Sequence, residues 1–343
     1  ATISPDGNRV IAQARGELFS LPASEGYISN ISQTSGAAER SPSWSPDGKY
    51  VACWSDVSGE YQLMLYDMAG NDPPKSVSNF INGFRYEIFW SPDSRKIAFI
   101  DQAMQVQVMD VATGNVSMVD RGKFMFHGPL SNFSVNWSPD SKWIAYTREV
   151  TRVATAVFVH NTQTEETHQL TSGFYADGSP VFSSDGKYLF YTTNRSINPT
   201  YSSMDNTFIY ANGTMLAVGT LAKATPSLMA VKNDEVKIKE EPEEKEEEVT
   251  KKKKKDEKGE KEESDAPEST PETVIDIAGF EERVELLEEP VGNLGRLASA
   301  EGKLIYVHRP NSGAPNGSRS VIKYYDIEAR EHKTVIEGCL LYT

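Results

Sequence analysis

Cysteine is almost missing from this chain. Cys53 and Cys339 are the only two, too few and too far apart for a disulfide framework or a thiolate metal knuckle; Cys53, inside a strand-like run, reads as a small core residue. Histidine is scarce and scattered, at His127, His160, His168, His308 and His332, and none adjoins a serine that could serve as a nucleophile. The Gly-x-Ser-x-Gly elbow, His-Glu-x-x-His, the phosphate-binding loop and Cys-x-x-Cys are all absent. Accordingly no catalytic residue, metal or cofactor is expected here. Long apolar runs are lacking too: Val153 to Val159 is strand-length, well short of the roughly 18 residues a membrane-spanning helix needs. No basic, apolar leader opens the chain. Positive charge is in deficit, with 35 Lys and Arg against 49 Asp and Glu, a net charge of −14, which argues against a nucleic-acid surface built on clustered cations.

What the chain does have is a repeat. Trp44-Ser45-Pro46-Asp47-Gly48-Lys49 returns in related form, with tetrads beginning at Ser4, Ser45, Ser91, Ser138 and Ser183 and therefore steps of 41, 46, 47 and 45 residues. A period of this size marks a four-stranded propeller blade. The tetrad is a turn with a mechanism: proline presets φ, serine and aspartate bond nearby backbone N–H groups, and glycine accepts positive φ. Each copy should close a hairpin. Ser94 and Ser141 replace the glycine, and Ser184 the proline, which weakens the turn by about 1 kcal/mol where a left-handed conformation is kept.

Strand pairs follow the turns in order: Val10 to Ala12 and Leu18 to Leu21, Tyr50 to Trp54 and Gln62 to Tyr66, Ile97 to Ile100 with Val106 to Met109 and Val116 to Val119, Trp143 to Thr147 with Val157 to His160, and Tyr188 to Thr192. They are apolar on successive residues rather than alternating, which fits sheets covered on both faces. The aromatic ahead of each turn, Trp44, Trp90, Trp137 or Phe182, is read as blade-to-blade packing. The fold class expected is all-β: a propeller of four-stranded blades, about six present from a seven-bladed parent, with a disordered charged insertion.

After Tyr210 the period fails. From Val231 to Glu263 there are eleven Lys against fourteen Asp and Glu, with no apolar face to dock a helix, and Lys251 to Lys255 is flanked by acids, so a solvated loop is expected. Three segments result: blades one to five over 1–221, the charged insertion over 222–273, and a sixth blade with the start of a seventh over 274–343. Ala1-Thr2-Ile3 reads as the end of a strand, so the chain is expected to be a fragment.

Beyond the repeat, three stretches resemble the propeller region of tricorn-type proteases. They are Ala14-Arg15-Gly16-Glu17-Leu18-Phe19 with Thr34-Ser35-Gly36 and Glu39-Arg40-Ser41-Pro42-Ser43-Trp44; Asn198-Pro199-Thr200-Tyr201-Ser202; and Ile275-Asp276-Ile277-Ala278-Gly279-Phe280-Glu281-Glu282-Arg283-Val284. The resemblance covers nearly the whole chain, and the third stretch is the most specific part of it. It implies the second, seven-bladed propeller of that family, a non-catalytic module that channels or filters oligopeptides toward a protease domain absent from this chain. The implied partners are oligopeptide substrates, the protease and PDZ-like domains of the same parent chain, and further copies in a homo-oligomer, with neither nucleic acid nor membrane. The implied location is cytoplasmic; a periplasmic one stays open while the N-terminus is missing. The alternative is a stand-alone TolB-like propeller acting as a protein-interaction platform, and a third, weaker option is a cap on a prolyl-oligopeptidase-like hydrolase.

A binding surface on such a ring should sit where each innermost strand begins, at the channel rim. The residues there are Glu39, Arg40, Arg85, Tyr86, Asn132, Phe133 and Asp177. Mixed charge and aromatics could hold an extended peptide through backbone hydrogen bonds and guanidinium contacts to carboxylates.

Overall fold

The computed structural model describes residues 1–122, 130–152, 154–196, 199–209, 211–231, 271–288 and 291–339. Each turn copy closes the first hairpin of an antiparallel sheet, and six four-stranded sheets succeed one another along the chain. Blade one holds Thr2–Ile3, Arg9–Ala14, Glu17–Pro22 and Ser29–Asn30. Blade two holds Glu39–Trp44, Tyr50–Ser55, Gln62–Asp67 and Lys75–Ser76. Blade three holds Phe89–Trp90, Lys96–Ile100, Gln105–Asp110 and Val116–Arg121. Blade four holds Val135–Trp137, Trp143–Glu149, Thr155–Asn161 and Glu166–Gln169. Blade five holds Gly178–Phe182, Tyr188–Thr193, Met215–Thr220 and Val284–Leu286. Blade six holds Asn293–Ala300, Lys303–Arg309, Ser320–Asp326 and Glu331–Cys339. First strands of successive blades touch, one with two, two with three and so on to six, so the sheets stand side by side about an axis rather than in two facing layers. Among the described residues no helix is long and apolar enough to cross a membrane.

The turn works as its composition suggests. The serine hydroxyl donates to its aspartate at 2.5 Å in blade one and 2.6 Å in blades two to five. The same oxygen accepts the N–H that opens the second strand, at 2.9 Å in all five. Ser94 and Ser141 keep positive φ, at 59° and 60°. Their hydroxyls offset part of that strain, because each accepts the aspartate N–H of the preceding blade's turn (Asp47 and Asp93) at 3.1 Å. Glycine could not form that link.

Burial on both sheet faces explains the unbroken apolar runs. The core consists of five clusters, one between each pair of successive blades. Within Tyr50–Ser55, Val51 and Cys53 face blade one while Ala52 and Trp54 face blade three, the period-two alternation of a strand serving two cores. The motif tryptophans also stitch blades: Trp90 Nε1 donates to the Ser43 carbonyl at 3.2 Å and Trp137 Nε1 to that of Phe89 at 3.0 Å.

Blade five departs from the expected segmentation. The stretch expected to open a sixth blade at residue 274 instead supplies the outer strand of the fifth, with Ala217↔Leu286, Val218↔Glu285 and Gly219↔Val284 in register. The charged insertion thus interrupts one blade between its third and fourth strands. It does not separate two blades. Residues 232–270, with Lys251 to Lys255, lie outside the described residues, whereas Leu228, placed by sequence in the insertion, is buried between blades five and six. At the other end, Glu331–Cys339 pairs with Ser320–Asp326 as the fourth strand of blade six; the expected start of a seventh blade falls on residues 340–343, which lie outside the described residues.

Candidate functional site: the axial channel

Each innermost strand pairs only with the second strand of its own blade, so its other edge turns toward the axis. In blades two, five and six the ladder between first and second strands carries a register shift, where Ser41, Ser179 and Arg296 sit at φ 49°, 51° and 51°. Such bulges twist a strand and leave backbone groups without ladder partners. The first strands of blades three to six enclose a cavity of about 970 Å³. Its charged lining residues are Glu87 on blade three and Arg296 and Arg309 on blade six, among neutral polar groups such as Ser134, Asn136 and Ser179. An alcove of about 330 Å³ between blades four and five shares Asn132, Phe133, Ser134 and Ser179 with it and continues to Arg152 and Glu149.

The seven rim residues divide by environment. Asn132 and Phe133 line both spaces, Asn132 exposed on the 3-10 turn Leu130–Asn132 and Phe133 largely packed into the core between blades three and four. Arg40 is exposed, its Nε donating to the Tyr61 hydroxyl at 2.7 Å. Tyr86 is half-buried, its ring edge-on to Phe84 and its carbonyl accepting from Trp54 Nε1 at 2.6 Å. The other three are buried. Glu39 Oε1 accepts from Thr34 and Ser55 hydroxyls at 2.6 and 3.1 Å, while its Oε2 has no partner. Arg85 donates to the Gly83 and Asn82 carbonyls at 2.9 and 3.1 Å and lies 3.6 Å over the Phe80 ring; burial pushes it below the usual guanidinium value, against Asp101 and Glu60. Asp177 is wholly buried with no hydrogen-bond partner of good geometry for either oxygen. Burial raises its carboxyl pKa, an effect the nearby Thr193 and Thr171 hydroxyls and Arg195 partly offset.

Glu39 and Arg85 are therefore engaged beneath the rim and Asp177 is buried there without such bonds, and the wall that lines the cavity lies further along the strands. Glu87, Ser134, Asn136, Ser179, Arg296 and Arg309 were not singled out by sequence reasoning. The usable sign was the stretch between rim and turn aromatic, which a strand lining an aqueous axis must keep polar. Blade six hid its share because its turn, Ser299-Ala300-Glu301-Gly302-Lys303, keeps the serine and glycine but has lost the proline and aspartate that mark the register elsewhere. Of the histidines, His160 Nδ1 meets the Thr167 hydroxyl at 2.8 Å, His168 faces Glu166 at 3.6 Å and His332 Nδ1 meets the Tyr306 hydroxyl at 2.9 Å; His127 lies outside the described residues. Among the described residues no group of three or more His, Cys, Asp or Glu is placed to hold a metal ion.

Comparison with known proteins adds to this geometry. A family model described as the tricorn protease second beta propeller domain matches residues 1–342. A relative called tricorn protease homolog 1, from Streptomyces coelicolor, is 24% identical over 311 residues, covering 89% of this chain and 27% of its own length. Among solved structures, the crystal structure of the tricorn protease superposes with a TM-score of 0.73 at 17% identity, over 97% of this chain and 30% of that one. An oligogalacturonate lyase in complex with manganese gives a TM-score of 0.53 at 10% identity, over 95% of this chain and 72% of that one. The chain thus spans less than a third of either tricorn relative.

Proposed function

Because the chain belongs to the family of tricorn protease second β-propeller domains, we propose that it is a non-catalytic module of a tricorn-like serine peptidase, admitting or filtering oligopeptides on their way to a protease domain. The observation that carries this reading is the cavity of about 970 Å³ bounded by the first strands of four blades. Inner-strand N–H and C=O groups that no neighbouring blade engages can hold any extended peptide through its backbone, which suits a passage that must accept many sequences. Neighbouring blades already engage part of the inner strands, with the Ser41 N–H donating to Gln13 Oε1 at 3.3 Å and the Ser179 N–H to Thr147 Oγ1 at 3.0 Å, so a peptide gains short ladders and no long, static one. Asn132 at the wall and Arg40 on the surface remain the exposed rim residues.

The test places Ser134→Trp in the parent peptidase. Ser134 is exposed and lines the cavity, so the indole fills space without entering a core. Cleavage of oligopeptides should fall several-fold while turnover of a short chromogenic substrate is unchanged. Equal rates for both substrates in parent and variant would remove the filtering role.

A further inference from the structure

The blade-six wall of the cavity carries two cations and no counter-charge. Arg296 sits at the bulge of Asn293–Ala300, in left-handed conformation and exposed. Arg309 ends the neighbouring strand, cross-paired with Asn293, and its guanidinium lies across Gly295, where an added Cβ would meet Nη1 at 3.2 Å. A side chain on residue 295 would push that group aside, so glycine clears its path to the cavity. Among the described residues neither guanidinium has a hydrogen-bond or ion-pair partner. Burial, with the charge of Arg296, pushes Arg309 below its usual value. Glu87, the cavity's carboxylate, stands on blade three and makes ion-pair contact with neither. In a chain of net charge −14, two unpaired arginines side by side on one wall of a cavity form a local exception that costs stability unless an anion joins them.

We infer that Arg296 and Arg309 form a carboxylate-binding site on the channel wall, which takes an extended peptide by its C-terminal or acidic side-chain carboxylate. The inference rests on the channel reading above and names the class of peptide that the channel prefers. Guanidinium pairs suit this role because each offers a planar fork of donors to a carboxylate.

The experiment measures binding of a fluorescent oligopeptide to the intact chain by anisotropy, in four forms: free C-terminus without acidic side chains, the same peptide amidated, the amidated peptide with one internal Glu, and that peptide with Glu changed to Gln. Carboxylate-bearing forms should bind about tenfold or more tightly than the neutral ones, lose that preference in Arg296→Gln and Arg309→Gln, and weaken with added salt. Comparison of the first and third forms tells which carboxylate is taken. Arg296 is exposed, so its variant keeps the test valid should Arg309→Gln fold poorly, as a thermal melt would show. Equal binding of all four forms, or a preference that survives in Arg296→Gln and the double variant, overturns the carboxylate site and leaves the channel standing. Binding of none of them overturns both.

Discussion

Asp177, expected at the channel rim, is a buried carboxylate instead. Its carboxylate is removed from water without a partner of good geometry, and burial raises its pKa, so the stability tied to its protonated form is complete below the ordinary value of 3.8 and is lost as pH rises through the raised one. Asp177→Asn should therefore stabilise the protein at pH 7 by about 1–3 kcal/mol, a gain read from chemical denaturation that shrinks as pH falls toward 4. A gain independent of pH would mean that charge is not the cause. His160 acts in the opposite direction. It is 2% exposed, and burial lowers its pKa below the ordinary 6.5, so the unfolded chain takes up a proton first and stability falls as pH drops below about 6.5. His160→Gln should flatten denaturation midpoints between pH 7 and 5 relative to the parent chain; an unchanged slope would place the titration elsewhere.

At the scale of elements, the piece that joins the fold from farthest away is the segment around Phe280. Its ring, 1% exposed, occupies the space over Gly219, where a Cβ would come within 2.4 Å of it. Arg283 then donates to the carbonyls of Thr220, Leu221 and Ala278 at 3.2 Å and of Asp276 at 2.5 Å, fastening the segment to the third strand of blade five. Phe280→Ala should cost about 3–5 kcal/mol. Gly219→Ala should also cost several kcal/mol alone, yet far less when combined with Phe280→Ala, because the ring it strikes is gone; a double-mutant cycle measures the coupling, and simple additivity would refute the contact. This element also shows what could be read beforehand. The run from Ile275 to Val284 was recognisable as a unit, but nothing local says that Val284–Leu286 returns to a blade begun before the insertion. Strand partnership across a long gap is a tertiary choice, made by the Phe280 and Gly219 fit and by an open strand edge. The turn tetrads, by contrast, were legible because serine, aspartate and left-handed residue satisfy one another within a few positions.

For the molecule as a whole, the repeat predicted the ring of blades, and the channel followed from the ring. The channel's chemistry did not follow, since Arg296 and Arg309 stand in the blade whose turn has decayed. The same repetition shapes stability. Five cores lie in series, each shared by two neighbouring blades, an arrangement in which energy is nearly a sum of local interfaces. Trp54, fully buried between blades two and three and bonded through Nε1 to the Tyr86 carbonyl at 2.6 Å, tests how far damage travels. Trp54→Ala removes that packing and should cost about 3–5 kcal/mol at its own interface. If interfaces act locally, hydrogen exchange should quicken in Tyr50–Ser55 and Lys96–Ile100 while Lys303–Arg309 in blade six keeps its protection. A uniform loss across all six blades would instead mean that the row of blades opens as one cooperative unit, and that a defect in any single core is felt along the entire channel wall.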